Sequence, residues 1–131
     1  MVDGCFDPLH RGHLWYFKKA AKLNLPILCN IASDGIMRKK RTPFLPAHTR
    51  AHVIDALKTI SFVYINTRST AAVLAELRPL YYIKGKDWEG KLPKEQIDIC
   101  RKYGIKILFT DSIPIYSSRI LDDYFHRRSN S

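Results

Sequence analysis

An open, all-parallel α/β sheet of five strands with helices on both faces is the fold class this sequence predicts, on three observations. Short apolar runs rich in β-branched and aromatic residues alternate with segments of helical period from end to end. Glycine and proline punctuate the boundaries, as at Gly104 and Pro79. The chain has 131 residues, 46% hydrophobic and 26% charged, the right size for one domain over residues 1–131. Parallel strands need crossover helices, so strict alternation of the two elements implies a sheet covered on both sides.

The predicted strands are the stub Met1–Asp3, then Pro26–Ala32, Phe62–Asn66, Leu80–Lys84 and Ile105–Phe109. Between them, Gly12–Asn24, Pro46–Thr59, Ser69–Leu77 and Pro93–Tyr103 are long enough for helices, and a last helix is expected over Ser117–His126. Val53, Ala56, Leu57 and Ile60 recur at the spacing of one helix face, as do Val73, Leu74 and Leu77. The polar tail from His126 to Ser131 is expected to fray. The first strand would be central in this architecture, yet only three residues precede Gly4, which predicts a missing N-terminal extension. In open parallel sheets ligands bind beyond the carboxyl ends of the strands where the winding reverses, so functional residues are expected just after strands.

Composition narrows the function classes. Lys and Arg number 22 against 12 Asp and Glu, a formal charge of +10, which calls for an anionic partner. No apolar run approaches the ~18–20 residues of a membrane span, and the N-terminus lacks the plan of a secretory signal; the expected compartment is the cytoplasm. Cys5, Cys29 and Cys100 are widely spaced and form no CxxC pair, against a disulfide framework or a structural zinc site.

The densest chemistry lies in Gly4-Cys5-Phe6-Asp7-Pro8-Leu9-His10-Arg11-Gly12-His13, directly after the first strand. Gly4 and Gly12 allow close approach of backbone to a ligand. The helix starting near Gly12 aims free N–H groups and about half a positive charge at whatever sits there. His10 and His13, three apart and straddling the helix start, can face one point and donate hydrogen bonds to phosphate oxygens, more strongly if protonated. Zinc is disfavoured because no third ligand is near.

This run resembles the G-x-F-D-x-x-H-x-G-H signature of the cytidylyltransferase-like nucleotidyltransferase superfamily, and further segments match in the same order along nearly the whole chain. Pro46–Leu57, centred on Thr49-Arg50, is similar to that family's acidic-Arg helix start, with His48-Thr49 where the acidic residue usually stands. Lys84-Gly85-Lys86-Asp87-Trp88-Glu89-Gly90-Lys91 resembles the G-x-D-W-E-G-K stretch of glycerol-3-phosphate cytidylyltransferases. Arg78-Pro79 followed by Lys84-Gly85 resembles instead the R-P-x-x-x-x-K-G of the adenylyltransferase domain of ADP-heptose synthesis. Tyr116-Ser117-Ser118 is similar to the family's hydroxyl-rich start of the last helix, and Arg119 departs from it.

The resemblance implies a Rossmann-like fold, a homodimer, and transfer of a nucleoside monophosphate from an NTP to a phosphorylated acceptor with release of pyrophosphate. The attacking phosphate oxygen is already ionised, so catalysis is expected to be positioning and electrostatics. His10 and His13 would hydrogen-bond the triphosphate and the departing oxygen. Asp7 would hold Mg²⁺, with Asp87 a weaker candidate. In the Arg38-Lys39-Lys40-Arg41 run, Arg38 or Lys39 would neutralise phosphates as a mobile flap. Gly4, Cys5, Phe6, Gly12, Arg50, Ser117 and Ser118 would cradle the nucleotide, and Lys84, Gly85 and Asp87 would border the base. Trp88 would cover the base or pack beneath the loop.

The first reading is CTP with a polyol or sugar phosphate such as glycerol 3-phosphate. Adenylyl transfer to a heptose 1-phosphate-like sugar phosphate is the alternative, favoured by Ser69–Gly85. A nucleic-acid-binding protein using the charge is a rival from another class, without a stacking or RNA-binding signature to support it.

Overall fold

The computed structural model describes residues 1–113 and 115–130. Five parallel strands form one sheet: β1 (Val2–Gly4), β2 (Leu28–Ala32), β3 (Phe62–Asn66), β4 (Tyr81–Gly85) and β5 (Lys106–Thr110), in the order β3-β2-β1-β4-β5. The helices are α1 (Arg11–Ala21), α2 (Asp34–Met37), α3 (Ala47–Asp55), α4 (Thr70–Leu77), α5 (Lys94–Tyr103) and α6 (Ser117–Ser129), with a 3₁₀ turn at Lys86–Trp88. The predicted α/β class and the central place of the first strand are both observed. The short α2 and the 3₁₀ turn were not predicted.

Alternation along the strands divides the core into two layers. Val2, Cys29, Ile31 and Ile83 pack with Phe17 and Ala20 of α1 and Ile54 of α3. Tyr82, Met1 and Ile105 pack on the other face with Val73 and Leu74 of α4 and Cys100 of α5. Neighbouring residues on a strand thus serve opposite layers, which is why these strands read as continuous apolar runs. Each buried aliphatic side chain contributes about 1.5–3 kcal/mol.

Two periodicity readings are corrected. Val53 is 43% exposed because α3 ends at Asp55, and residues 56–60 turn rather than continue its face; Ile54 takes the core position. Leu77 is 44% exposed at the last turn of α4, which closes on Arg78 in the left-handed region (φ 46°). The end of the last helix is also corrected: α6 runs past His126 to Ser129, with His126, Arg127 and Arg128 in its last turn, where cations suit the helix dipole; Ser131 lies outside the described residues.

The order 3-2-1-4-5 places the reversal of winding between β1 and β4. Those strands share only the register pair Val2↔Ile83, then part. The Tyr16 hydroxyl fills the gap: it accepts from the Asp3 amide at 3.4 Å and donates to the Ile83 carbonyl. A crevice opens above this point, at the carboxyl ends of the strands.

Candidate active site

His10 is the N-cap of α1. Its Nδ1 accepts from the Gly12 amide at 3.1 Å, and His13 Nδ1 accepts from the His10 amide at 3.2 Å, so each ring satisfies one orphan donor of the helix start. The rings stack with centroids 3.8 Å apart and planes 18° apart, and Phe6 meets the His13 ring edge-on at 5.0 Å. An Nδ1 that accepts carries no proton, which fixes both neutral rings as Nε2–H tautomers. Burial pushes the His13 pKa down to about 3, assisted by the neighbouring His10, and burial lowers that of His10 as well. Both imidazoles therefore meet the crevice as neutral donors; the stronger, protonated donors considered from sequence are corrected by the caps, which occupy the second nitrogen.

Gly12 owes its identity to this arrangement. A Cβ there would lie 2.9 Å from His10 Cε1 and 3.0 Å from its Nδ1, so any side chain displaces the capping ring. Gly4 similarly makes room for Phe6, which is buried at φ 53°. Cys5 lines the crevice half-buried, its thiol pKa raised by burial.

The crevice, about 400 Å³, is bounded by the His10–His13 pair, Lys84, Gly85, Asp87 and the start of α6. Among the described residues no side chain caps α6, whose first turn lies at the crevice edge. Ser117 donates its hydroxyl to the Pro8 carbonyl at 2.8 Å, binding α6 to the β1–α1 turn, while Ser118 is exposed at the crevice. Lys84 is 7% exposed, paired with Asp3 at 2.7 Å, and lies 4.5 Å from the centre of the Trp88 ring. Trp88 thus covers the lysine. Asp87 is exposed, its carboxylate beside Gly85.

A second cavity of about 640 Å³ adjoins the first and shares Asp3, Lys84, Arg41 and Trp88 with it. It extends over the ends of β2 and β3, with Lys39 and Lys40 at its edge and Asn30, Asn66 and Tyr82 buried in its walls.

Three expected roles are corrected. Asp7 is fully buried: Oδ1 accepts from the Leu45 amide at 2.8 Å, and Oδ2 accepts from the Phe44 amide at 2.7 Å and from Arg41 at 3.2 Å. It anchors the loop after α2 and offers no coordinating oxygen; among the described residues no three His, Cys, Asp or Glu side chains gather to hold a metal ion. Asp7 therefore does not fit its expected Mg²⁺ role, while Asp87, the weaker candidate, is exposed at the crevice. Arg50, 1% exposed, spends its guanidinium on the carbonyls of Leu45, Cys5 and Ala32 and on Asp34 at 2.8 Å, tying three loops together instead of touching a ligand. Arg38 caps α2, exposed and outside both cavities, because the basic run turns tightly: Lys39, Lys40 and Arg41 face the second cavity and Arg38 does not. Arg78-Pro79 lies before β4, at the far end of that strand from Gly85, where Arg78 closes α4 and stacks on Tyr103 at 4.0 Å.

Sequence reasoning missed Asp3, Arg41, Asp34 and Asn30. Arg41 stood in the basic run already singled out but without a role of its own, and Asn30 carried a local signal as a lone amide inside the apolar run PILCNIA.

A sequence model described as cytidylyltransferase-like matches residues 1–120. Among curated relatives, the bifunctional protein HldE of Syntrophotalea carbinolica is 32% identical over 94% of this chain and 27% of its own length. The protein of that name in Geobacter metallireducens is 33% identical over 81% of this chain and 22% of its own length. The chain thus spans about a quarter of these relatives. A lipopolysaccharide core biosynthesis protein from Thermoplasma volcanium superimposes with a TM-score of 0.75 at 24% identity, covering 86% of this chain and 95% of that one. A protein of unknown function from Archaeoglobus fulgidus does so with a TM-score of 0.65 at 21% identity, covering 84% and 87%.

Proposed function

Because the chain belongs to the cytidylyltransferase-like family, we propose that it transfers a nucleoside monophosphate from an NTP to a phosphorylated sugar, with ATP and a heptose 1-phosphate-like acceptor as the preferred pair. The observation that carries this reading is the junction of two cavities at Lys84, one rimmed by neutral imidazole donors and helix N-termini, the other by Lys39, Lys40 and Arg41. The first suits a triphosphate and the second a sugar phosphate. The likeness of the segment Arg78-Pro79 through Lys84-Gly85 to the R-P-x-x-x-x-K-G stretch of adenylyltransferase domains of ADP-heptose synthesis, together with the similarity to the HldE proteins, favours the adenylyl-heptose reading over the cytidylyl one.

A phosphate oxygen of the acceptor would form a bond to the α-phosphorus while the bond from that phosphorus to the bridging oxygen breaks, and pyrophosphate would leave with the electron pair. The attacking oxygen is ionised, so no side chain needs to remove a proton. His10 and His13 would donate Nε2–H to the oxygen on which charge develops, a role that a neutral ring held at Nδ1 by a backbone amide performs without reorganisation. Lys84, held by Asp3, would sit between two polyanions and reduce their repulsion. No step is assigned to a metal ion.

The test is pyrophosphate release with ATP, CTP, GTP and UTP against a heptose 1-phosphate, glycerol 3-phosphate and other sugar phosphates. ATP with the heptose 1-phosphate is expected to lead. CTP with glycerol 3-phosphate leading would reverse the preference, and no release from any pair would refute nucleotidyl transfer.

A further inference from the structure

Asn30 is the middle residue of β2, and alternation turns it toward the α4/α5 side of the sheet, away from Cys29 and Ile31. It is 2% exposed, and its Oδ1 has no hydrogen-bond partner among the described residues. A neighbouring β2 residue on the same face, Leu28, packs in the apolar layer, where a hydrocarbon at position 30 would also be at home. The amide instead forms part of the wall of the second cavity. An orphaned acceptor destabilises the free protein, so its use is expected when the cavity fills.

The surroundings define what it would accept from. Asp3 in the same wall already receives Lys84 at 2.7 Å and the Thr70 hydroxyl at 3.0 Å, and the Tyr82 hydroxyl lies 2.9 Å from Gln96. Asn66 Oδ1 is taken by the Arg68 amide at 2.9 Å. Of the two buried side-chain atoms without a partner among the described residues, Asn30 Oδ1 and Thr110 Oγ1, only Asn30 belongs to the wall of this cavity, with exposed Lys39 and Lys40 at the cavity edge. Cations at the edge and an unused neutral acceptor inside match a molecule with a phosphate at one end and hydroxyl groups along its body.

We propose that Asn30 is a specificity-determining residue whose Oδ1 accepts a hydrogen bond from one hydroxyl of a polyhydroxylated phosphate in the second cavity. This rests on the transfer reading above, and it names a residue that selects the acceptor.

The experiment compares wild type, Asn30→Ala and Asn30→Leu at saturating ATP, using a heptose 1-phosphate and analogues each lacking one hydroxyl. For one analogue, wild type is expected to lose about tenfold in kcat/KM. Both variants are expected to lose about tenfold with the complete acceptor and to treat it and that analogue alike, with the KM for ATP within twofold of wild type. Asn30→Leu, which exchanges an unpaired amide for a hydrocarbon of similar size, is expected to melt no lower than wild type, separating lost recognition from lost folding. Variants that discriminate among the analogues as wild type does, or a wild type indifferent to every missing hydroxyl, overturn the inference and leave pyrophosphate release intact. A wild type that releases no pyrophosphate with any acceptor of the panel removes the transfer reading, and this inference with it.

Discussion

Lowering the pH separates the two roles that His13 performs. Its Nδ1 must stay unprotonated to accept from the His10 amide, and burial with a second imidazole 3.8 Å away resists charge, which places its pKa at about 3 in the folded protein. A histidine in the unfolded chain titrates near 6.5. Below 6.5 the unfolded state binds the extra proton, so stability is complete above that pH and declines as pH falls toward about 3. Integration from pH 7.5 to pH 5 gives a loss of about 2 kcal/mol from this residue. His13→Gln isolates it, since glutamine at this helix position still accepts from the N-cap amide but does not titrate. Urea unfolding of both proteins at pH 7.5, 6.5, 5.5 and 5 is expected to show wild type losing about 2 kcal/mol more than the variant over that interval, with the histidines away from this pair cancelling. Equal slopes would mean that His13 is free to protonate, and the tautomer argument for neutral Nε2–H donors would fail.

Removal of either Nε2–H donor, by His10→Ala or His13→Ala, is expected to lower kcat about 10²–10³-fold in the pyrophosphate assay; turnover within tenfold of wild type would dissociate the pair from the chemistry. Asp7→Asn is expected to cost about 1–3 kcal/mol in chemical unfolding through the loop it anchors, leaving the magnesium dependence of turnover unchanged, whereas a tenfold shift in the required magnesium would restore its metal role. Arg50→Ala is expected to destabilise by about 3–5 kcal/mol, because three carbonyls and Asp34 lose their donor together; a thermal melt within a degree of wild type would contradict that role. Lys39→Ala combined with Lys40→Ala is expected to raise the acceptor KM about tenfold and Arg38→Ala less than twofold, and the reverse order would return Arg38 to the site.

The sequence by itself determined the α/β class, the span of β3 to the residue, and the location of the crevice. Apolar run, helical period and terminating glycine are local properties of the chain, and the His10–His13 turn is a local device made by neighbours in sequence. Tertiary structure decided which polar groups remain for a ligand. Asp7 and Arg50 carry the residue types of a ligand site, yet amides at positions 44 and 45 and carbonyls at 5, 32 and 45 consume them. Asn30 has the composition of a defect in a strand, and only the folded chain shows that it lies in a cavity wall with its oxygen unpartnered. A hydrogen-bonding group is spent or spare according to what the rest of the chain brings within about 3 Å of it, and that distance is set by packing across the sheet, not by order along the chain.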